Sequence, residues 1–303
     1  MGAVIRNTDV AVEGEAVIAY TLKKPAFECI HIAPHGLLTE TGIREQRVEL
    51  DRWEGLPSFF TTGGEIPFDI FSAAFYLVTR YEEYLDHEKD MYGRYSHKNS
   101  LAFREGFLQE PLIETWIGRF RELVRWRFPK EKLGMRSFRY QPSYDIDHAW
   151  CYLRKGVLRT VAHFGRDLLA LDLKGFSRRW KVITGKEQDP YDIYEWLDAL
   201  HLRYGLRPYY FFPLAIKVEG YDRNVSPYNS KLRELLAYHA EGYRTGIHPS
   251  WRSGDSEKVL KEEIALFSSI TGKDPEYSRF HYIRFGLPDD YRNAEQLWLA
   301  CEP

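Results

Sequence analysis

The stretch SYDIDHAW, residues 143–150, sets two carboxylates, Asp145 and Asp147, two residues apart with His148 beside them. Side chains alternate along an extended strand, so Asp145 and Asp147 point to one place and Ile146 points away. Such a pair can divide a catalytic task, one carboxylate holding a hard or borderline cation and the other accepting a proton. It can equally be a solvated turn that caps the next helix. In GIHPSWRS, His248 stands where an apolar run breaks at Pro249. In SRFHYIRF, Arg279 and His281 are again two apart and so share one side of a strand. Arg279 is suited to pair with a catalytic carboxylate, and His281 to ligate a metal. Each signal is weak alone, since a lone histidine is more often structural. On successive strand ends they form a constellation, and the constellation favours a site. A rival cluster in CIHIAPH offers Cys29, His31 and His35. Pro34 excludes the helix that would align its two imidazoles, and no second ligand pair has structural-zinc spacing.

These residues need strands to carry them, and the second half of the chain supplies the pattern. FRYQPSYDID, RPYYFFPLA, YRTGIHPS and YSRFHYIRF read as strands. Helical stretches alternate with them: Trp150 to about Leu173, then DPYDIYEWLDALHLRYG, NSKLRELLAYHAEG and DSEKVLKEEIALFSSITG. Asp189 is the expected N-cap of the second of these, with Pro190 in its first turn and Gly205 as its stop. A βαβα rhythm implies a parallel sheet, whose ligands bind beyond the C-terminal strand ends. The first half reads differently. Short β-rich runs fill residues 1–65, and IPFDIFSAAFYLVTRYEEYL is expected to be a helix buried through Phe68, Phe71, Phe75 and Leu77–Val78. A polar loop and a second amphipathic helix, PLIETWIGRFRELVRWRF, follow. The charged segment 129–137 is the expected boundary, giving domains 1–135 and 136–303.

Composition fits a globular chain: of 303 residues 44% are apolar and 28% charged. Three cysteines, far apart, make no disulfide framework. The net charge of −2 implies no strong overall field for nucleic acid or anionic membrane. No apolar run approaches a membrane span, and the N-terminus lacks the basic and apolar regions of a secretory leader, so the cytoplasm is the expected location. Arg6 stands where a myristoylation signal wants Ser or Thr.

SYDIDHAW, GIHPSWRS and SRFHYIRFGLPDDYRN, in that order, resemble the polysaccharide deacetylase superfamily, the NodB-homology proteins of carbohydrate esterase family four in its broad sense. IPFDIFSAAFYLVTRYEEYLDHEKDMYGRY and EPLIETWIGRF resemble the small α+β domain of unknown function that precedes the deacetylase domain in one bacterial branch. The resemblance implies an α/β fold, an incomplete (β/α) barrel behind that small domain. It implies a metal-dependent amidohydrolase that removes acetyl from N-acetylated sugars, with zinc as the expected divalent metal and a carbohydrate as substrate. Carried over by motif, Asp145 is the catalytic base, Arg279 orients it, and Asp147 and His248 hold the metal. The family's second metal histidine falls at position 252, which is Arg here. Strand alternation instead offers His281 for that place. No residue clearly supplies the general acid. Residues 137–303 are fewer than the roughly 200 or more that a closed barrel takes. That shortfall implies a C-terminally truncated barrel of four strands with impaired activity. The alternative expectation is an inactive carbohydrate-binding pseudoenzyme that keeps the cleft aromatics Trp150, Tyr209, Trp251 and Tyr282.

Overall fold

The computed structural model describes residues 15–134, 137–217, 220–296 and 300–301. The N-terminal stretch read for a leader lies outside them up to Gly14, as do residues 297–299 and 302–303 of the tail. The chain divides into two compact units, Met1–Phe138 and Arg139–Pro303.

In the first unit, β1 (Ile18–Tyr20) pairs in parallel with β2 (Ile30–Ile32), and β3 (Asp51–Trp53) pairs antiparallel with β4 (Leu56–Ser58). Among the described residues three α-helices follow: α1 (Ile70–Val78), the single turn α2 (Leu101–Arg104) and α3 (Leu112–Arg127). Phe59, Phe68, Ile30, Ile32, Ile66 and Trp116 form the centre of the core. The indole of Trp116 donates to the Pro57 carbonyl at 2.9 Å, so its one polar atom is satisfied. The buried face of α1 is Ile70, Ala73 and Tyr76, and not the expected one: Phe75 and Val78 are 40% and 67% exposed. Asp69 sets that rotation by capping the helix, accepting from the backbone of Phe71 and Ser72.

The second unit runs β5 (Ser143–Asp145), α4 (Val157–Leu169), α5 (Leu173–Ile183), α6 (Tyr194–Tyr204), β6 (Tyr209–Phe212), α7 (Ser230–Gly242), β7 (Arg244–Ile247), α8 (Glu257–Thr271), β8 (Tyr277–Ser278), α9 (Asp289–Gln296) and β9 (Ala300–Cys301). The five strands pair in parallel in sequence order, β5-β6-β7-β8-β9. A fifth strand corrects the expectation of four: the tail after α9 returns to pair with β8. One face of the sheet carries Tyr144 and Tyr210, stacked at 5.1 Å and packed against His201 of α6 and His239 of α7. Ile247, Phe212, Leu232, Leu236 and Phe267 complete that core. Gly246 lets β7 and β8 close up, since a Cβ there would collide with the backbone carbonyl of Tyr277.

Helix boundaries differ from expectation in both units: of the run 66–85 only Ile70–Val78 is α-helix, interrupted at Arg80 with φ 54°, and two more boundaries differ in the second unit. The stretch 150–173 opens as a turn, and its helix ends at Leu169. Leu171 there takes a left-handed φ of 54°, and Asp172 caps a separate helix through Gly175 N at 2.9 Å. Asp189 does not cap α6, whose N-cap is Ile193. Its carboxylate instead accepts from the backbone of Cys151, Tyr152 and Leu153, and so clamps the turn that follows the paired aspartates. Gly205 ends α6 as expected, at φ 63°.

Candidate metal centre

Parallel strands deliver the site. Ile146 N donates to Phe211 O, His248 N to Phe212 O, Arg279 N to Ile247 O and His281 N to Pro249 O. The ladder therefore continues past the ends of β5, β7 and β8, and each site residue leaves the sheet at the same rim. β8 itself is shorter than the alternation argument assumed, because the chain turns at His281–Ile283, where Tyr282 and Ile283 have φ of 60° and 53°. The two-residue step still holds for the backbone of Arg279 and His281, but their side chains take different partners, Arg279 reaching Asp145 and Ser143 and His281 reaching Asp147 and Asp222.

Asp147, His248 and His281 bring one ligand atom each to within 4.8 Å of one another. His248 Nε2 lies 3.2 Å and His281 Nε2 3.5 Å from the same oxygen, Asp147 Oδ1. The other ring nitrogens are already committed. His248 Nδ1 faces the backbone carbonyl of Arg279, and His281 Nδ1 lies 2.9 Å from Asp222 Oδ1. A carbonyl and a carboxylate only accept, so each Nδ1 carries the proton. In the neutral rings both Nε2 atoms then present lone pairs to a carboxylate oxygen. Three electron-rich atoms facing one another require a positive charge between them, from added protons or from a cation. The imidazole of His248 is buried and that of His281 largely so, their side chains 3% and 11% exposed, while that of Asp147 is 53% exposed and leaves the cluster an approach from solvent. Partial burial works against ionisation of Asp147, but when the rings are protonated the hydrogen bond from His248 and the positive charge of His248, His281 and His148 outweigh it and hold its carboxyl below the usual range.

Asp222 is the residue that sequence reasoning missed. It is 4% exposed and also accepts from Trp251 N at 2.9 Å. It fixes the tautomer and tilt of His281 as an outer carboxylate does for a metal-bound histidine. Its only sequence signal was the polar run YDRN between β6 and α7, which looks like any loop. Asn224 of the same run ties this loop to the aspartate pair, donating to Ile146 O and accepting from Ala149 N, both at 3.4 Å.

Asp145 stands apart from the three. Its Oδ1 accepts from Arg279 Nη1 at 3.0 Å, while Nη2 donates to Ser143 Oγ at 3.0 Å and the guanidinium lies 4.4 Å over the Phe211 ring. The aromatic expectations divide. Trp150 is core, 7% exposed, and is not available for stacking. Tyr209 lies at the opposite end of β6 from the rim. Trp251 and Tyr282 do gather near His281, bridged by Tyr221 at 5.2 and 5.1 Å, with Arg284 3.9 Å over Trp251. Arg252 sits half-buried in the turn Trp251–Asp255. The rival cluster of the first unit is not assembled: His31 Nε2 is taken by Thr21 O at 2.8 Å.

Among the described residues, Asp147, His248 and His281 are the one group of His, Cys, Asp and Glu gathered closely enough to hold a metal ion. No curated protein and no solved structure matches the chain. One family model does, a family of unknown function (DUF7033), over residues 4–129, which leaves the whole of this centre outside the matched segment.

Proposed function

We infer that the second unit is a metal-dependent amidohydrolase of the polysaccharide deacetylase type, removing acetyl from N-acetylated sugars. The observation that carries this reading is the convergence of two Nδ1-anchored imidazoles on the oxygen of Asp147. An N₂O donor set with an open side suits zinc or a similar divalent ion in a catalytic role. Such a cation would supply Lewis acidity toward an acyl carbonyl and toward water. The chain's own residues do the rest. Asp222 and the Arg279 carbonyl hold the two rings in place. Asp145 takes the proton of the attacking water, and Arg279 keeps that carboxylate oriented. Tyr221, Trp251 and Tyr282 offer ring faces to a sugar. The same aromatic cluster would serve a catalytically silent carbohydrate-binding protein, which is the second reading.

Titration with zinc, cobalt and nickel, together with acetate release from N-acetylglucosamine oligomers, separates the two. The amidohydrolase reading expects one ion per chain and slow metal-dependent release. Asp145→Asn should abolish release and keep the ion, whereas Asp147→Ala should lose both. Metal binding without release would leave the binding reading. No metal binding at all would end the first.

A further inference from the structure

The helical hairpin α4–α5 buries an ion pair beside its aromatic contacts and leaves a row of aliphatic side chains outside. A soluble helix turns its apolar stripe inward and its charges outward. Here Asp167 and Arg179, each 5% exposed, pair inside the hairpin at 2.8 Å, and Arg179 lies over the rings of Tyr152 and Phe164. The apolar stripes face out. On α4, Leu158, Val161, Leu168 and Leu169 fall at helical spacing on one side and are 87, 62, 57 and 88% exposed. On α5, Leu173 and Trp180 repeat the pattern at 68 and 53%, and Leu171 in the turn between the helices is 81% exposed. Phe164 of α4 meets Phe176 and Trp180 of α5, which makes the two helices one body.

The charge around these stripes is one-sided. Residues 154–187 hold nine Lys and Arg against Asp167, Asp172 and Glu187, a formal excess of six positive charges in a chain whose net charge is −2. On α4, Arg159 and Arg166, seven apart, run along one flank of the stripe. On α5, Lys174 and Lys181 hold the same relation to theirs, and both are exposed. Only part of this charge is neutralised locally, by Asp167 and by the Arg178–Glu187 pair at 3.4 Å. Outward leucines and a tryptophan with lysines and arginines on their flank are the pattern of a helix that lies in a bilayer interface.

We propose that the α4–α5 hairpin docks the protein on an anionic membrane surface, with Leu158, Leu169, Leu171 and Trp180 entering the headgroup boundary and Lys174, Lys181 and Arg166 meeting lipid charge. Charge complementarity selects this occupant over a second copy of the chain, because two hairpins face to face would set one basic face against another. The docking does not depend on the metal centre.

The test is co-sedimentation of the metal-free full chain with vesicles of phosphatidylcholine mixed with phosphatidylglycerol, against phosphatidylcholine alone. Binding should require phosphatidylglycerol and weaken with salt. Lys174→Glu with Lys181→Glu should reduce partitioning by about tenfold or more. Leu158→Asp with Leu169→Asp should abolish it, with circular dichroism and an unchanged urea-unfolding transition showing that the variant is still folded. Failure of the unaltered chain to bind the mixed vesicles would overturn the proposal. So would binding that the leucine changes leave intact, which would mean plain electrostatic adsorption. A dimer in light scattering that Leu169→Asp dissolves would assign the face to a second copy and overturn it as well.

Discussion

Two aspartates, one in each unit, show how a carboxylate can be used up or left to act. Asp69 in the first unit is fully buried and takes hydrogen bonds from Tyr20 OH, Ser72 Oγ and the backbone of His35, Phe71 and Ser72. All of those partners are donors, so the charge is settled and the loop, strand and helix around it are joined. Asp147 in the second unit is half-exposed and faces two imidazole nitrogens whose protons sit on the far side of their rings. The histidines contrast in the same way. His31 spends Nε2 on a backbone carbonyl, whereas His248 and His281 spend Nδ1 on acceptors and keep Nε2 facing the carboxylate. A charge surrounded by donors builds the fold, and one surrounded by lone pairs invites a ligand.

The contrast can be tested by removal. Asp69→Ala should cost the most, on the order of 4 kcal/mol, because it removes a helix cap and strands several buried donors. Urea unfolding that moves by less than about 1 kcal/mol would mean the hub is not structural. Next comes Glu263, the buried acid that fits neither pattern. It is fully buried, accepts from Ser250 N at 3.0 Å, and its Oε1 has no hydrogen-bond partner. Burial lifts its carboxyl from 4.5 to about 7. The folded state therefore favours the protonated acid, and stability should fall as pH rises from about 4.5 to 7, by on the order of 3 kcal/mol. Glu263→Gln should flatten that slope in unfolding curves taken across the window, and an unchanged slope would place the linkage elsewhere. Asp222→Asn should weaken zinc or cobalt binding by about 10- to 100-fold with little change in the metal-free fold. Calorimetric titration showing equal affinity would remove Asp222 from the centre. The smallest effect is expected at Asp147 itself: Asp147→Ala should lower metal-free stability by no more than about 0.5 kcal/mol, because its carboxylate is half-exposed and its ion pairs are screened. A loss as large as that at Asp69 would make Asp147 another structural hub and erase the contrast.

Much of this was legible in the sequence where the cause is local. Gly205 ends α6 as its position just past the apolar run implies, and the βα alternation gives the parallel order. Asp147, His248 and His281 could be placed together because strand alternation and strand ends are local properties too. What failed was set from a distance. Asp189 looked like a cap but binds backbone groups 36–38 positions earlier. Trp150 looked like a cleft residue until the sheet buried it. The inward face of α1 followed from Asp69 and not from the spacing of its phenylalanines. Asp222 was invisible because its meaning comes entirely from His281, 59 positions later. The overall charge of −2 concealed the basic hairpin by averaging over it.

The wide spacing of the centre also says when it can exist during folding. Asp145 and Arg279 are separated by 134 positions, Ile146 and Asn224 by 78, and His281 and Asp222 by 59. Closing loops of that length costs entropy that only a formed sheet returns. An ion arriving early meets scattered single ligands. The proposed chelate would be complete only after β5, β6, β7 and β8 have come into register. Metal should therefore leave the refolding rate untouched and slow unfolding, acting as a latch set last on a scaffold already built.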